Sequence, residues 1–117
     1  MNKSDLLNAF TSKPIKTLED IPGLPGVTLH IATLSAYTAQ HLYNDELREK
    51  MMADKAFLAA LFVASVCDEN GELIFTNDDI EAINKMPFPA IKHVTDEIAY
   101  YNGLIDPESV KSDAKKN

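Results

Sequence analysis

The sequence predicts an α+β domain that is predominantly α-helical, with four or five helices around one apolar central helix and a small N-terminal β-hairpin or strand pair. Three observations support this fold class. After residue 35, apolar residues recur at spacings of three and four over most of the chain. Residues 55–66 are apolar almost all round, which is typical of a helix covered on every side. A short segment before them alternates apolar and polar side chains, as in a strand with one buried face.

The N-terminal third is expected to contain a short helix followed by extended segments. The first helix is capped by Ser4 and ended by Pro14. Its inner side carries the apolar residues Leu6, Leu7 and Phe10. Residues 15–21 are ambiguous and compatible with an extended segment, and residues 22–26 form a turn rich in proline and glycine. The strand then follows as an alternation of Val27, Leu29 and Ile31 with Thr28, His30 and Ala32.

Helical spacing begins after Ser35. The apolar positions of this helix are Ala36, Ala39, Tyr43, Leu47 and Met51. Asp54 is expected to cap the central helix, and the chain turns at Asn70-Gly71. Thr76 and Asp79 have the spacing of a capping box, with Asp in place of the usual Glu. The short helix that follows places Ile80, Ile83 and Met86 inward.

Two prolines separate this short helix from the last one. Pro87 ends the first, and Pro89 fits the first turn of the next. The inward positions of the last helix are Ile91, Val94, Ile98, Tyr101 and Ile105, and Gly103 ends or bends it. One globular domain is therefore predicted over residues 1–105, with a flexible polar tail over residues 106–117.

Charge and composition exclude several function classes. The 117 residues carry 18 acidic and 11 basic side chains, a formal net charge of −7, with Arg48 the single arginine. Nucleic-acid binding needs cationic side chains to neutralise phosphates, so this acidic chain is poorly equipped for it. Anionic membrane surfaces are disfavoured as partners for the same reason. The longest apolar stretch, residues 56–66, is too short to span a bilayer, and no apolar run near the N-terminus resembles a signal peptide. We expect a cytoplasmic protein with protein partners.

Catalytic, cofactor and metal sites are not predicted. The three histidines, His30, His41 and His93, lie on separate elements without a second ligand at metal-binding spacing. Cys67 ends the most apolar stretch and is interpreted as a small buried hydrophobe. Residues 68–79 have the length of a calcium-binding EF-hand loop, but Leu73 replaces its glycine. A turn followed by helix-capping acids explains that segment better.

The middle of the chain resembles the tail assembly chaperones of long-tailed, non-contractile bacteriophages. An apolar helix leads to Cys67-Asp68 and a glycine turn, in FLAALFVASVCDENGELIF. A Phe75-Thr76 step and an acidic helix start follow, in TNDDIEAINKMPFPAIKHV, and Asn102-Gly103 closes the last helix. The step from the strand to Ser35-Ala36 is also similar to that family. The likeness covers residues 27–105.

The resemblance implies a non-enzymatic role in the host cytoplasm. Members bind the long, helical, aggregation-prone tape measure protein, keep it soluble and help the tail tube polymerise around it, and they are said to contact the tube subunit. An exposed apolar strip would suit such a client in the helix-in-groove mode, and a homo-oligomer formed through the same strip is compatible with it. The interaction candidates are Met51, Met52, Tyr100, Tyr101, Leu104 and Ile105.

A small acidic regulatory adaptor or inhibitor of a mobile element is the alternative interpretation. Its contact surface would be acidic, formed by Asp45, Glu46, Glu49, Asp78, Asp79 and Glu81. Salt separates the two hypotheses, because binding through charges weakens at high ionic strength whereas apolar client binding persists.

Overall fold

The computed structural model describes residues 2–11, 14–44, 46, 49–50, 53 and 55–104. These residues form five helices and a three-stranded antiparallel sheet, so the predicted α+β class with N-terminal strands is confirmed. The elements are α1 (Lys3–Thr11), β1 (Ile15–Leu18), β2 (Leu29–Ala32), α2 (Ala36–Leu42), α3 (Phe57–Ser65), β3 (Val66–Cys67), a 3-10 turn (Asn77–Asp79), α4 (Ile80–Ile83) and α5 (Phe88–Tyr101). Within the described ranges, no helix is long and apolar enough to cross a membrane.

The sheet has the strand order β1-β2-β3, with β2 in the centre. Lys16 lies opposite Ile31 in the first pair, and Ile31 lies opposite Val66 in the second. Because residues directly opposite in an antiparallel pair project to the same face, Ile31 and Val66 share one face, and both are fully buried in the core. At the edge of that face, Lys16 forms an ion pair of 2.9 Å with Glu97 of α5.

Helix α3 is the centre of the core. Seven of its nine residues are buried, and it packs against α5. The residues buried around it include Ile31 and Val66 from the sheet and Val94 and Ile98 from α5. Phe62 on α3 meets the ring of Phe75 with 5.7 Å between the ring centroids. The central apolar helix predicted from the sequence is therefore present.

Several local predictions are confirmed at the ends of the helices. Ser35 caps α2, its Oγ accepting from the Thr38 amide at 3.1 Å. Thr76 and Asp79 form the predicted capping box. Gly103 ends α5 in the left-handed region with φ +70°, and the Leu104 amide donates to the Ala99 carbonyl at 2.8 Å. These last features form a Schellman motif, in which only glycine takes the positive φ without strain.

The interpretation of α1 was wrong in two respects. The helix is capped by Asn2, whose Oδ1 accepts from the Asp5 amide at 2.9 Å, and Ser4 lies inside the first turn. Leu6 and Leu7 do not face the core, since they are 43% and 55% exposed. The side chain of Phe10 lies outside the described residues. The pattern identified an apolar side of α1, but helical spacing alone does not place Leu6 and Leu7 against the core.

The predicted end of the central helix was also misplaced by one residue, and the third strand was not predicted. The helix ends at Ser65, whose Oγ donates to the Ala32 carbonyl at 2.6 Å, and Val66 begins β3. A two-residue strand is too short for a period of two to appear in the sequence. Asp54, the predicted cap, and the tail over residues 106–117 lie outside the described residues.

Two glycines in the turn between β1 and β2 both have a positive φ, but only Gly23 has a close neighbour. Substituting each one therefore distinguishes the cost of backbone strain from the cost of a steric contact. Gly23 and Gly26 have φ +81° and +76°, but a Cβ on Gly23 would lie 3.2 Å from Pro87 Cβ, whereas a Cβ on Gly26 meets nothing within 4 Å. We expect Gly26→Ala to lower the free energy of unfolding by about 1 kcal/mol and Gly23→Ala by about 2 kcal/mol. Urea denaturation of both variants measures the difference. Equal losses would show that the turn does not press on Pro87.

Candidate protein-binding groove

An apolar groove opens where α3 begins, beside α4 and the first turn of α5. Its volume is about 230 Å³. Phe57, Ile83 and Ile91 are the buried part of its wall, Leu58 and Met86 are half-buried, and Phe88 stands exposed. Lys55 and Asn84 complete the lining. We call this site the α3–α5 groove.

Phe88 is the most exposed apolar residue of the groove, at 63%. It is the first residue of α5 and stands between Pro87 and Pro89. Since each proline ring fixes its own φ, the backbone on both sides of this aromatic ring is restricted before anything binds. Gly23 lies close to Pro87, which further restricts the backbone before Phe88. Phe88 is therefore an exposed aromatic ring on a restricted backbone, and aromatic residues of this kind often dominate the binding energy of protein interfaces.

Phe88 was missed in the sequence. It lies three residues before Ile91, so helical spacing places it on the buried side of α5 with Ile91 and Val94. The signal that could have singled it out is the pair of flanking prolines, which hold an aromatic residue at the very start of a helix. The buried stripe of α5 thus continues beyond the core, and its first residue is left uncovered.

The polar part of the groove is held in an unusual backbone conformation. Lys55 has φ +59°, a left-handed conformation that costs a residue with a side chain about 1–2 kcal/mol. Its carbonyl accepts a hydrogen bond of 3.1 Å from Asn84 Nδ2. Asn84 follows α4, so this bond ties the segment before α3 to the end of α4. The side chain of Lys55 is exposed.

Three of the interaction candidates named from the sequence are described by the structure, and they do not line this groove. Tyr100, Tyr101 and Leu104 are half-buried at the opposite end of α5, where Tyr101 packs against the core. Asn102 organises that end: its Nδ2 donates to the Ile98 carbonyl at 2.8 Å, and its Oδ1 accepts from the Leu34 amide at 2.7 Å. The other candidates lie outside the described residues: Met51, Met52 and Ile105.

Outside the groove, the most exposed apolar or aromatic side chains of the described residues lie on three surfaces. Leu6 and Leu7 lie on α1, and Leu73 and Ile74 follow the turn after β3. On α2, the ring of Tyr37 is 78% exposed and stacks on His41, with 6.0 Å between centroids. None of these residues lines the α3–α5 groove, so variants on these surfaces can serve as controls for it.

The sheet brings together three polar side chains that the sequence keeps apart. Thr17, His30 and Cys67 lie opposite one another across the strands, and His30 Nδ1 is 3.1 Å from Thr17 Oγ1. Cys67 is only 1% exposed, as its interpretation as a small buried hydrophobe predicted. A buried thiol is inert towards a substrate in solution, so this row does not form a nucleophilic site.

The acidic segment after β3 uses its carboxylates locally. Asp68 Oδ1 accepts from the amides of Asn70 and Glu72 at 2.8 and 3.0 Å, and Gly71 makes the turn with φ +85°. Asp79 Oδ2 accepts from the Thr76 amide at 2.8 Å. Across the described ranges, no group of three or more His, Cys, Asp or Glu side chains could hold a metal ion.

The fold and the groove define a small α+β protein that offers an apolar surface and a preorganised anchor. Among solved structures, the chain is similar to the tail assembly chaperone of bacteriophage HK97, with a TM-score of 0.58 and 18% sequence identity. The superposition covers 88% of this chain and 96% of that one. No protein-family model and no curated protein sequence matches the chain. At this identity the comparison establishes a shared fold.

Phe88 is exposed whereas Phe62 is buried in the core, so replacing these two residues should have different effects on the free energy of unfolding. Phe88→Ser should change the free energy of unfolding by no more than about 0.5 kcal/mol, as at other surface positions. Phe62→Ala should lower it by about 3–5 kcal/mol, because Phe62 is fully buried on α3. Urea denaturation of both variants tests this. A large loss in Phe88→Ser would mean that Phe88 is part of the core.

Proposed function

We propose that this protein is a tail assembly chaperone of a long-tailed, non-contractile bacteriophage. It binds the tape measure protein, keeps it soluble and helps the tail tube assemble around it. The observation that carries the proposal is the fold, which matches nearly the whole length of the HK97 tail assembly chaperone. Residues 27–105 also resemble the same family in their sequence pattern, and this resemblance supports the proposal independently of the structure.

The α3–α5 groove is the client-binding surface in this proposal. Amphipathic helices bind such grooves by inserting apolar side chains spaced at three and four residues, and a long helical client offers many of them. Met86 suits varied clients, because its unbranched thioether side chain adapts to different shapes. The groove holds about 230 Å³, below the roughly 300–1,000 Å³ of small-molecule sites, which favours inserted side chains over a metabolite.

Binding without catalysis is the mode of action that we propose. The row of Thr17, His30 and Cys67 has its thiol buried, while Asp68 accepts hydrogen bonds within a turn and Asp79 completes a capping box. In a host cell, the net charge of −7 would keep a protein with exposed apolar surface in solution. A contact with the tail tube protein, and self-association, belong to the same proposal as further protein interactions.

Co-expression with the tape measure protein of the same phage tests the function. We expect the chaperone to capture this client and to increase its soluble fraction, at both low and high salt, because apolar burial is not screened. Capture only at low salt would favour the acidic adaptor. A client that stays equally insoluble with and without this protein, and is not captured, would overturn the proposal.

Two matched variants test whether the groove is the binding surface. Phe88→Ser removes an exposed aromatic ring from the groove, and Tyr37→Ser removes an even more exposed ring from α2. We expect Phe88→Ser to weaken capture by at least about tenfold, as for a central aromatic anchor, and Tyr37→Ser to leave it unchanged. If Phe88→Ser binds normally, the surface lies elsewhere. Variants of Tyr100 and Leu104 then test the opposite end of α5.

A further inference from the structure

The α3–α5 groove carries a charge opposite in sign to that of the whole protein. Among the described residues that line it, Lys55 is the only charged one, whereas the chain has a net charge of −7. A second lysine, Lys85, is exposed and lies in the chain between the lining residues Asn84 and Met86. The described part of the groove lining is therefore apolar with one cationic side chain, set in an acidic protein.

The backbone of Lys55 is fixed by a tertiary hydrogen bond. The Asn84 side chain holds the Lys55 carbonyl at 3.1 Å, which fixes the backbone from which the side chain extends. The four-carbon side chain of lysine can follow an apolar wall while its ammonium reaches solvent. Within the described residues, no carboxylate lies within ion-pair distance of this ammonium. A bound segment could therefore supply the acidic partner.

On these grounds we infer that the groove selects an amphipathic helical segment of the client that carries a carboxylate beside its apolar anchors. The apolar side chains pack against Phe88, Met86 and Leu58, and the carboxylate pairs with Lys55. An ion pair at the rim of an apolar contact mainly sets register and selects among segments, because the apolar burial supplies most of the affinity. This inference rests on the proposed function and specifies which client segments the groove accepts.

A peptide scan identifies the segments. Overlapping peptides covering the tape measure protein of the same phage are titrated against the wild-type chain and Phe88→Ser. Peptides that bind the wild type and lose binding in Phe88→Ser define groove ligands. We expect each of them to contain an Asp or Glu within one helical turn of its apolar anchors, the spacing at which side chains share a helix face.

Charge reversal then tests the pairing. Lys55→Glu should weaken groove ligands roughly tenfold, and Lys55→Arg should keep their binding. Lys3→Glu makes the same change of charge on α1, away from the groove, and should leave binding unchanged. A peptide in which the acidic residue is replaced by Lys should bind Lys55→Glu more tightly than it binds the wild type. That rescue is the result that a merely structural role of Lys55 would not give.

The contradicting results are distinct from those that defeat the function. Groove ligands without acidic residues, or equal binding by Lys55→Glu and the wild type, would overturn the selection by charge while client capture stands. If neither the client nor any peptide binds the wild type, the proposed function fails and this inference with it. If the free protein self-associates, and both Lys55→Glu and the pair Leu6→Ser with Leu7→Ser abolish this, α1 of a second copy is the occupant and the inference is wrong.

Discussion

The whole structure depends on covering one helix that is apolar on every side. Exposing any flank of helix α3 would place apolar side chains in water, so the chain surrounds most of it and buries seven of its nine residues. The sheet contributes Ile31 and Val66, α5 contributes Val94 and Ile98, and the segment after β3 contributes Phe75. The elements that surround this helix do not cover all of its first turn. At the first turn of α3 the single turn of α4 and the start of α5 leave a gap, and that gap is the α3–α5 groove.

Helix α5 connects the stability of the protein with its proposed binding surface. Its C-terminal end is fixed by the Schellman motif at Gly103 and by Asn102, which reaches the Leu34 amide. Its N-terminal end is fixed by Pro87, Pro89 and the contact with Gly23. Because this helix is held at both ends, binding at Phe88 would cost little backbone freedom. An exposed aromatic ring contributes little to folding, so its presence at this point supports the proposed binding role.

Charge and apolar surface have complementary roles in such a protein. Exposed apolar side chains favour association with whatever covers them, and a net charge of −7 opposes indiscriminate association between copies. Among the described residues that line the groove, the charged one is Lys55, whose sign is opposite to that of the whole chain. Under the proposed function, the net charge would keep the protein in solution while Lys55 would attract an acidic segment to the groove. Cys67 is buried and Asp79 caps a helix, so these two side chains also serve the fold itself.

The sequence by itself determined the α+β class, the central helix, the capping box of Thr76 and Asp79 and the end of α5 at Gly103. These features depend on periodicity and on hydrogen bonds between near neighbours, which a single chain segment contains. Only the tertiary structure decided what covers each apolar face. It paired Val66 with the distant Ile31, left Leu6 exposed and joined Lys55 to Asn84. It also left Phe88 uncovered, although its spacing is that of a core residue, because an apolar pattern shows which side avoids water but not whether another element packs against it.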